Sequence, residues 1–150
     1  MNLPDHRLEA LEQSYGELLA LCDGLETVAD SLPHAVTARV CLTLAAGLEP
    51  LVARTHGLEE DALFPLLQAS QRPQLGPTLA RLRAEQEADC SAAAEVSEAL
   101  QDLGNSTSAL SADAIGYLLR SFFESMRRHV RGEKELIDMV RRNSQDASAR

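Results

Sequence analysis

Two pairs of side chains in this sequence share one arrangement: Glu60 follows His56 by four residues, and Glu133 follows His129 by four. On an α-helix such residues lie on one face, about 6 Å apart along the axis. Each imidazole and its carboxylate then point the same way, and together they can ligate a metal ion or exchange a proton. Both pairs interrupt apolar seams with alternating steps of three and four residues. One seam reads Cys41, Ala45, Leu48, Val52, His56, Glu60, Leu63, Leu67; the other reads Ile115, Leu118, Phe122, Ser125, His129, Glu133, Leu136, Val140. A third seam, Leu8, Leu11, Tyr15, Leu18, Cys22, Leu25, Ala29, Leu32, is broken by Tyr15. The fourth, from Leu75, Leu79 and Leu82 to Ala93, Val96, Leu100 and Leu103, is broken by Gln86 and by Asp89.

Such breaks carry a cost. A buried, unpaired carboxylate is unfavourable by several kcal/mol even after relaxation. Two that face each other force one to take up a proton. A divalent or trivalent cation reverses the sign of that interaction. Carboxylates from opposite helices can bridge two ions, each capped by one imidazole. Such donors suit iron or manganese, with zinc admissible. Plainer readings stand beside this one. A single His-x-x-x-Glu is commonly a solvated pair, Tyr15 a core tyrosine with a bonded hydroxyl, and Gln86 a residue that sets bundle register. His6 and His34 sit near helix starts and are expected in solvent. Cys22, Cys41 and Cys90 are expected to be small buried hydrophobes. The charge runs Glu59-Glu60-Asp61 and Arg127-Arg128 are read as solvated faces, Glu60 excepted.

The elements that must position these groups are helices. The chain of 150 residues is one domain, 1–150, with its core over about 5–142 and a frayed tail from 143 to 150. Hydrophobic residues make up 45% and charged residues 25%, which argues against disorder. Aromatics are 3% and Trp is absent, against a β-sandwich or a base-stacking module. A net charge of −9 disfavours nucleic acid. No apolar run is long enough for a membrane span, and Met1 to Glu12 does not read as a secretory leader. Three cysteines without a CxxC pattern fit a reducing, cytoplasmic setting. Breakers divide the chain into helices from Pro4-Asp5 to about Asp30, His34 to Ser70, Thr78 to Leu103, and Ser111 to Arg142. The second is expected to kink or break at Pro50 and to bend at Pro65, and residues 71–77 form a connector. Short connectors make neighbouring helices antiparallel, so the expected fold is an all-α, up-down-up-down four-helix bundle.

With these motifs the chain resembles the hemerythrin-like, or HHE cation-binding, family. The stretch His56-Gly57-Leu58-Glu59-Glu60-Asp61-Ala62-Leu63-Phe64-Pro65 is similar to the family's H-x-x-x-E-E/D-x-x-L-F-P, and His129-Val130-Arg131-Gly132-Glu133-Lys134-Glu135 is its second carrier. The resemblance implies a non-haem di-iron centre inside the bundle. His56 and His129 would be its terminal ligands, with Glu60 and Glu133 its bridging carboxylates. The sequence departs from the family at two places. Tyr15 stands where a helix-one histidine is usual. Leu82-Arg83-Ala84-Glu85-Gln86 keeps a Leu-x-x-Glu-His frame but ends in Gln86. Each ion thus loses one imidazole, which weighs against reversible dioxygen carriage. Tyr15 is expected to ligate one ion, next to His56. Gln86, or instead Glu85, Asp89 or water, serves the other; the alternative is one ion only, on the helix-one side.

Three functions follow as expectations. The first is a modified iron centre that binds or reacts with dioxygen, peroxide or nitric oxide. The second is an iron-binding or iron-sensing module without catalysis, and the third a metal-free helical interaction scaffold. No residue is assigned a catalytic role, and the oligomeric state is left open, with Phe123 and Tyr117 as exposed apolar residues that could support a dimer.

Overall fold

The computed structural model describes residues 3–70 and 72–148, and their regular structure is helical. Helix α1 spans Leu3–Ser31 and α2 spans Ala38–Leu58. A π-helical turn at Glu59–Leu63 leads directly into α3, Phe64–Ala69, so these three pieces form one rod. Helix α4 spans Leu75–Gly104, and α5 spans Ala112–Ser148. The rods pack in the cyclic order α1, α2, α4, α5, each against its two neighbours. The fold is the expected all-α four-helix bundle, and its buried apolar residues form one cluster along the axis.

Local chemistry accounts for where the elements start and stop. Ser111 caps α5 by accepting the Ala114 N–H at 3.1 Å. Pro77 falls in the first turn of α4, where an N–H is not needed, so the helix begins at Leu75 rather than Thr78. Helix α2 begins at Ala38, not at His34, which lies in the connector. Helix α5 continues to Ser148, past Arg142, while Ala149 and Arg150 lie outside the described residues, as does Gln71 of the connector. Gly104 permits close approach of the end of α4 to α2. A Cβ there would lie 2.7 Å from Leu42 Cγ and 3.2 Å from the Ala38 carbonyl.

The main difference from the sequence pattern concerns the α2 rod. Pro50 does not interrupt it: Pro50 and Ala46, the residue four earlier whose carbonyl a proline cannot serve, are both exposed. The interruption comes later. Strict alternation of four and three from Cys41 gives Ala45, Leu48, Val52, Thr55 and Glu59, and all are buried. Beyond that point the deep positions include Leu63 and Leu67, one residue out of phase with the same alternation. The π turn absorbs the additional residue: the Phe64 N–H bonds to the Glu59 carbonyl, five residues back. Pro65 follows at once. It has no N–H, and its ring crowds the carbonyl four residues earlier, which disfavours ordinary α register there.

Candidate metal centre

The π turn decides which carboxylate enters the bundle. Glu59 is 2% exposed, whereas Glu60 lies at the surface beside Arg83, with Oε1 3.6 Å from Nε. The expectation that Glu60 faces Glu133 is therefore corrected: the carboxylate opposite Glu133 is Glu59. Seam phase from the N-terminal half of the rod points to Thr55 and Glu59. Phase carried back from Leu67 and Leu63 points to Glu60 and His56. The two disagree by one residue, and the π turn lies between them.

Glu59 is the hub of one group of contacts. Its Oε2 accepts the Tyr15 hydroxyl at 2.7 Å, and its Oε1 accepts the Gln86 amide at 3.1 Å. The Glu133 carboxyl, from α5, lies close enough to Glu59 and Tyr15 for both to act on its titration. Tyr15 is fully buried and Glu133 is 7% exposed. Burial pushes the Glu133 carboxyl up to about 10, and the adjoining Glu59 adds to that shift. Burial, followed by the Glu133 and Glu59 carboxyls, drives the Tyr15 phenol far above its ordinary range. Beneath these residues Ser14 and Thr55 share a buried hydrogen bond of 2.6 Å across α1 and α2.

Asp89 is the hub of a second group. It lies 3.1 Å from His129 Nδ1 through Oδ1 and 3.7 Å from His56 Nε2 through Oδ2. Burial opposes the charge on Asp89, but the His129 hydrogen bond and the nearby His56 imidazole outweigh it and hold the carboxyl below its usual range. The same contact raises His129, against the opposing effect of burial. Glu85 Oε2 approaches His129 Nε2 at 4.0 Å. Cys90, expected as a small buried hydrophobe, is exposed, with its Sγ 3.5 Å from His56 Nδ1. Cys22 and Cys41 are buried, as expected. Phe123, expected at the surface, is 1% exposed because it lies on the inward side of α5, whereas Tyr117 is 77% exposed.

The four rods thus bring Tyr15, His56, Gln86, Asp89, His129 and Glu133 to one level of the bundle, with Glu85 at its edge and Glu59 in the place foreseen for Glu60. Among the described residues, no three His, Cys, Asp or Glu side chains are grouped as a ready-made set of ligands. Instead the donors close on each other, and no described buried side-chain nitrogen or oxygen lacks a hydrogen-bond partner. Chemically the set fits a hard cation: three carboxylates with a fourth, Glu85, at the edge, two imidazoles, a phenol and the Gln86 amide, all nitrogen and oxygen donors. The carboxyl pair supplies the strongest indication, because a proton on Glu133 now does what a cation would do between two acids.

No helix of the described structure is long and apolar enough to cross a membrane. Comparison with curated proteins gave no match, and neither did comparison with solved structures. The model of the hemerythrin HHE cation binding domain matches residues 6–139. That range takes in all four rods and both groups of polar contacts, and the chain belongs to the hemerythrin HHE cation-binding family.

Proposed function

We propose that this chain binds iron in the middle of the bundle, with a carboxylate-rich set of ligands drawn from Glu59, Glu133, Asp89, His56 and His129, and with Tyr15 as a sixth donor. The observation that carries this reading is the contact of Glu59, Glu133 and Tyr15 at the bundle axis, where burial holds a proton on Glu133. Two ions, which Glu59 and Glu133 would hold together with the imidazoles, would account best for a pair of acids facing each other from opposite rods. A single ion, or manganese or zinc, uses the same donors. Bound iron would supply Lewis acidity and one-electron redox chemistry toward dioxygen, peroxide or nitric oxide.

The chain's own residues have separable tasks in this reading. Without metal Asp89 holds the His129 imidazole and lies 3.7 Å from that of His56, Gln86 holds Glu59 through its amide, and Cys90 contacts the outer nitrogen of His56. Three free cysteines suit a reducing, cytoplasmic setting. The test is the metal content and identity of protein purified without chelator from iron-replete cells, followed by optical spectra on addition of peroxide or nitric oxide. Bound iron with a spectral response supports a reactive centre; bound iron without one supports an iron-binding or sensing module. Protein that neither retains nor takes up metal refutes the proposal. That last outcome would favour a metal-free scaffold, a reading supported by the self-satisfied hydrogen bonding of the interior.

A further inference from the structure

The α4–α5 seam is the loosest of the four between neighbouring rods. It contains an opening of about 280 Å³ that leads from the surface to His129 and Glu133, bordered by Arg81, Glu85, Arg128 and Gly132. We propose that this opening binds a small monoanion of the carboxylate or oxyanion class, with Arg128 as its principal partner. The inference goes beyond the iron reading, because the pocket needs no ion to exist.

Charge is the first argument. The chain as a whole carries −9, whereas this lining balances two arginines, Arg81 and Arg128, against two glutamates, Glu85 and Glu133. Arg127, the residue before Arg128, is engaged by Asp23 at 2.8 Å and Glu26 at 3.0 Å. Arg81 is held by Glu85 at 3.0 Å. Arg128 has no carboxylate within ion-pair distance among the described residues, yet its charge is felt at His129. The guanidinium fork matches a planar carboxylate or oxyanion in a two-point contact.

Shape is the second argument. Gly132 lies one turn beyond Arg128 on the same face of α5, and a Cβ built on it meets nothing within 4 Å. A glycine inside a helix is less favourable than an alanine; here its lack of a side chain keeps the mouth clear. Size sets the class. At about 280 Å³ the opening suits a ligand of a few heavy atoms. The Glu85 carboxylate on the rim disfavours a second negative charge. A further opening on this seam, at Asp89 and Glu95, has carboxylates and no cation in its lining, so it does not share this chemistry.

The test uses the full-length, metal-free protein at pH 7 and constant ionic strength. Formate and nitrite are titrated while the ring signals of His129 are followed by NMR, with sulfate as the dianion comparison. The expected result is saturable movement with formate or nitrite and weaker binding of sulfate. Arg128→Gln should weaken the monoanion by about tenfold or more, the worth of a charged hydrogen bond. Gly132→Leu should do the same by filling the mouth. Gly132→Ala should keep binding and so separate blockage from any effect on helix stability. Arg131→Gln is the matched charge control and should leave binding unchanged. Unsaturable shifts, or equal loss in Arg128→Gln and Arg131→Gln, overturn the proposal. Either result leaves the iron reading untouched, because no metal is present.

Discussion

Replacing Glu59 and Glu60 separately by alanine distinguishes the two possible registers of the α2 rod. In the metal-free protein, Glu59→Ala removes the acceptor of the Tyr15 hydroxyl, at 2.7 Å, and of the Gln86 amide, at 3.1 Å. Each buried donor left unpaired costs about 1–3 kcal/mol. Part of this is offset, because Glu133 no longer faces a second acid. A net loss of about 2–4 kcal/mol is expected, and for a chain of this size that lowers the melting temperature by roughly 5–15 °C. Glu60→Ala removes one surface contact with Arg83 at 3.6 Å, on a side chain that is 45% exposed. Such a pair contributes about 0–1 kcal/mol, so the melting temperature should move by no more than about 3 °C. Thermal unfolding by circular dichroism measures both. Metal analysis of the same variants should show lost iron for Glu59→Ala and retained iron for Glu60→Ala. A Glu60→Ala variant that loses its metal while Glu59→Ala keeps it would refute the placement of the π turn and everything built on it.

Three further outcomes are expected. Glu133 titrates near 10 in the folded metal-free protein and from an ordinary value of 4.5 when unfolded, so its contribution is complete below about pH 4.5 and fades as pH rises toward 10. Asp89 has the opposite sign, and its contribution is lost as pH falls. Chemical denaturation of metal-free protein at pH 7 and pH 10 should therefore show stability falling with pH. Glu133→Gln should flatten that slope, and an unchanged slope would contradict a proton held on Glu133. Tyr15→Phe should abolish any phenolate-to-iron absorption band in ferric-loaded protein; a band that survives means that Tyr15 is not a ligand. Gly104→Ala should destabilise by about 1–3 kcal/mol, since its Cβ would meet Leu42 and the Ala38 carbonyl. Gly57→Ala, with nothing within 4 Å, should instead stabilise by about 0.5–1 kcal/mol in the same denaturation assay.

Much of this molecule was legible in the sequence, for particular reasons. The α1 seam from Leu8 through Tyr15 to Ala29 is buried residue for residue, because an uninterrupted helix repeats its inward face with a fixed period. Glu133 and Tyr15 turn inward for the same reason, and short polar or proline-bearing connectors were enough to order the four rods. On α5 the same reasoning drifted. Leu118, Ser125 and Leu136 flank the core, while Leu119, Met126 and Ile137 fill it, since a run rich in apolar residues offers two adjacent faces and only the neighbouring rods select one.

Periodicity and composition by themselves determined the helical class, the bundle and the level at which polar groups interrupt its core, since these depend on local spacing along each rod. Tertiary structure alone decided that Glu59, not Glu60, enters that level, that Asp89 joins two histidines from opposite rods, and that Cys90 reaches the surface beside His56. A π turn shifts phase by one residue with no unambiguous local mark, and contacts across rods depend on how far each helix is rotated and slid against the next. No spacing within a single helix encodes that.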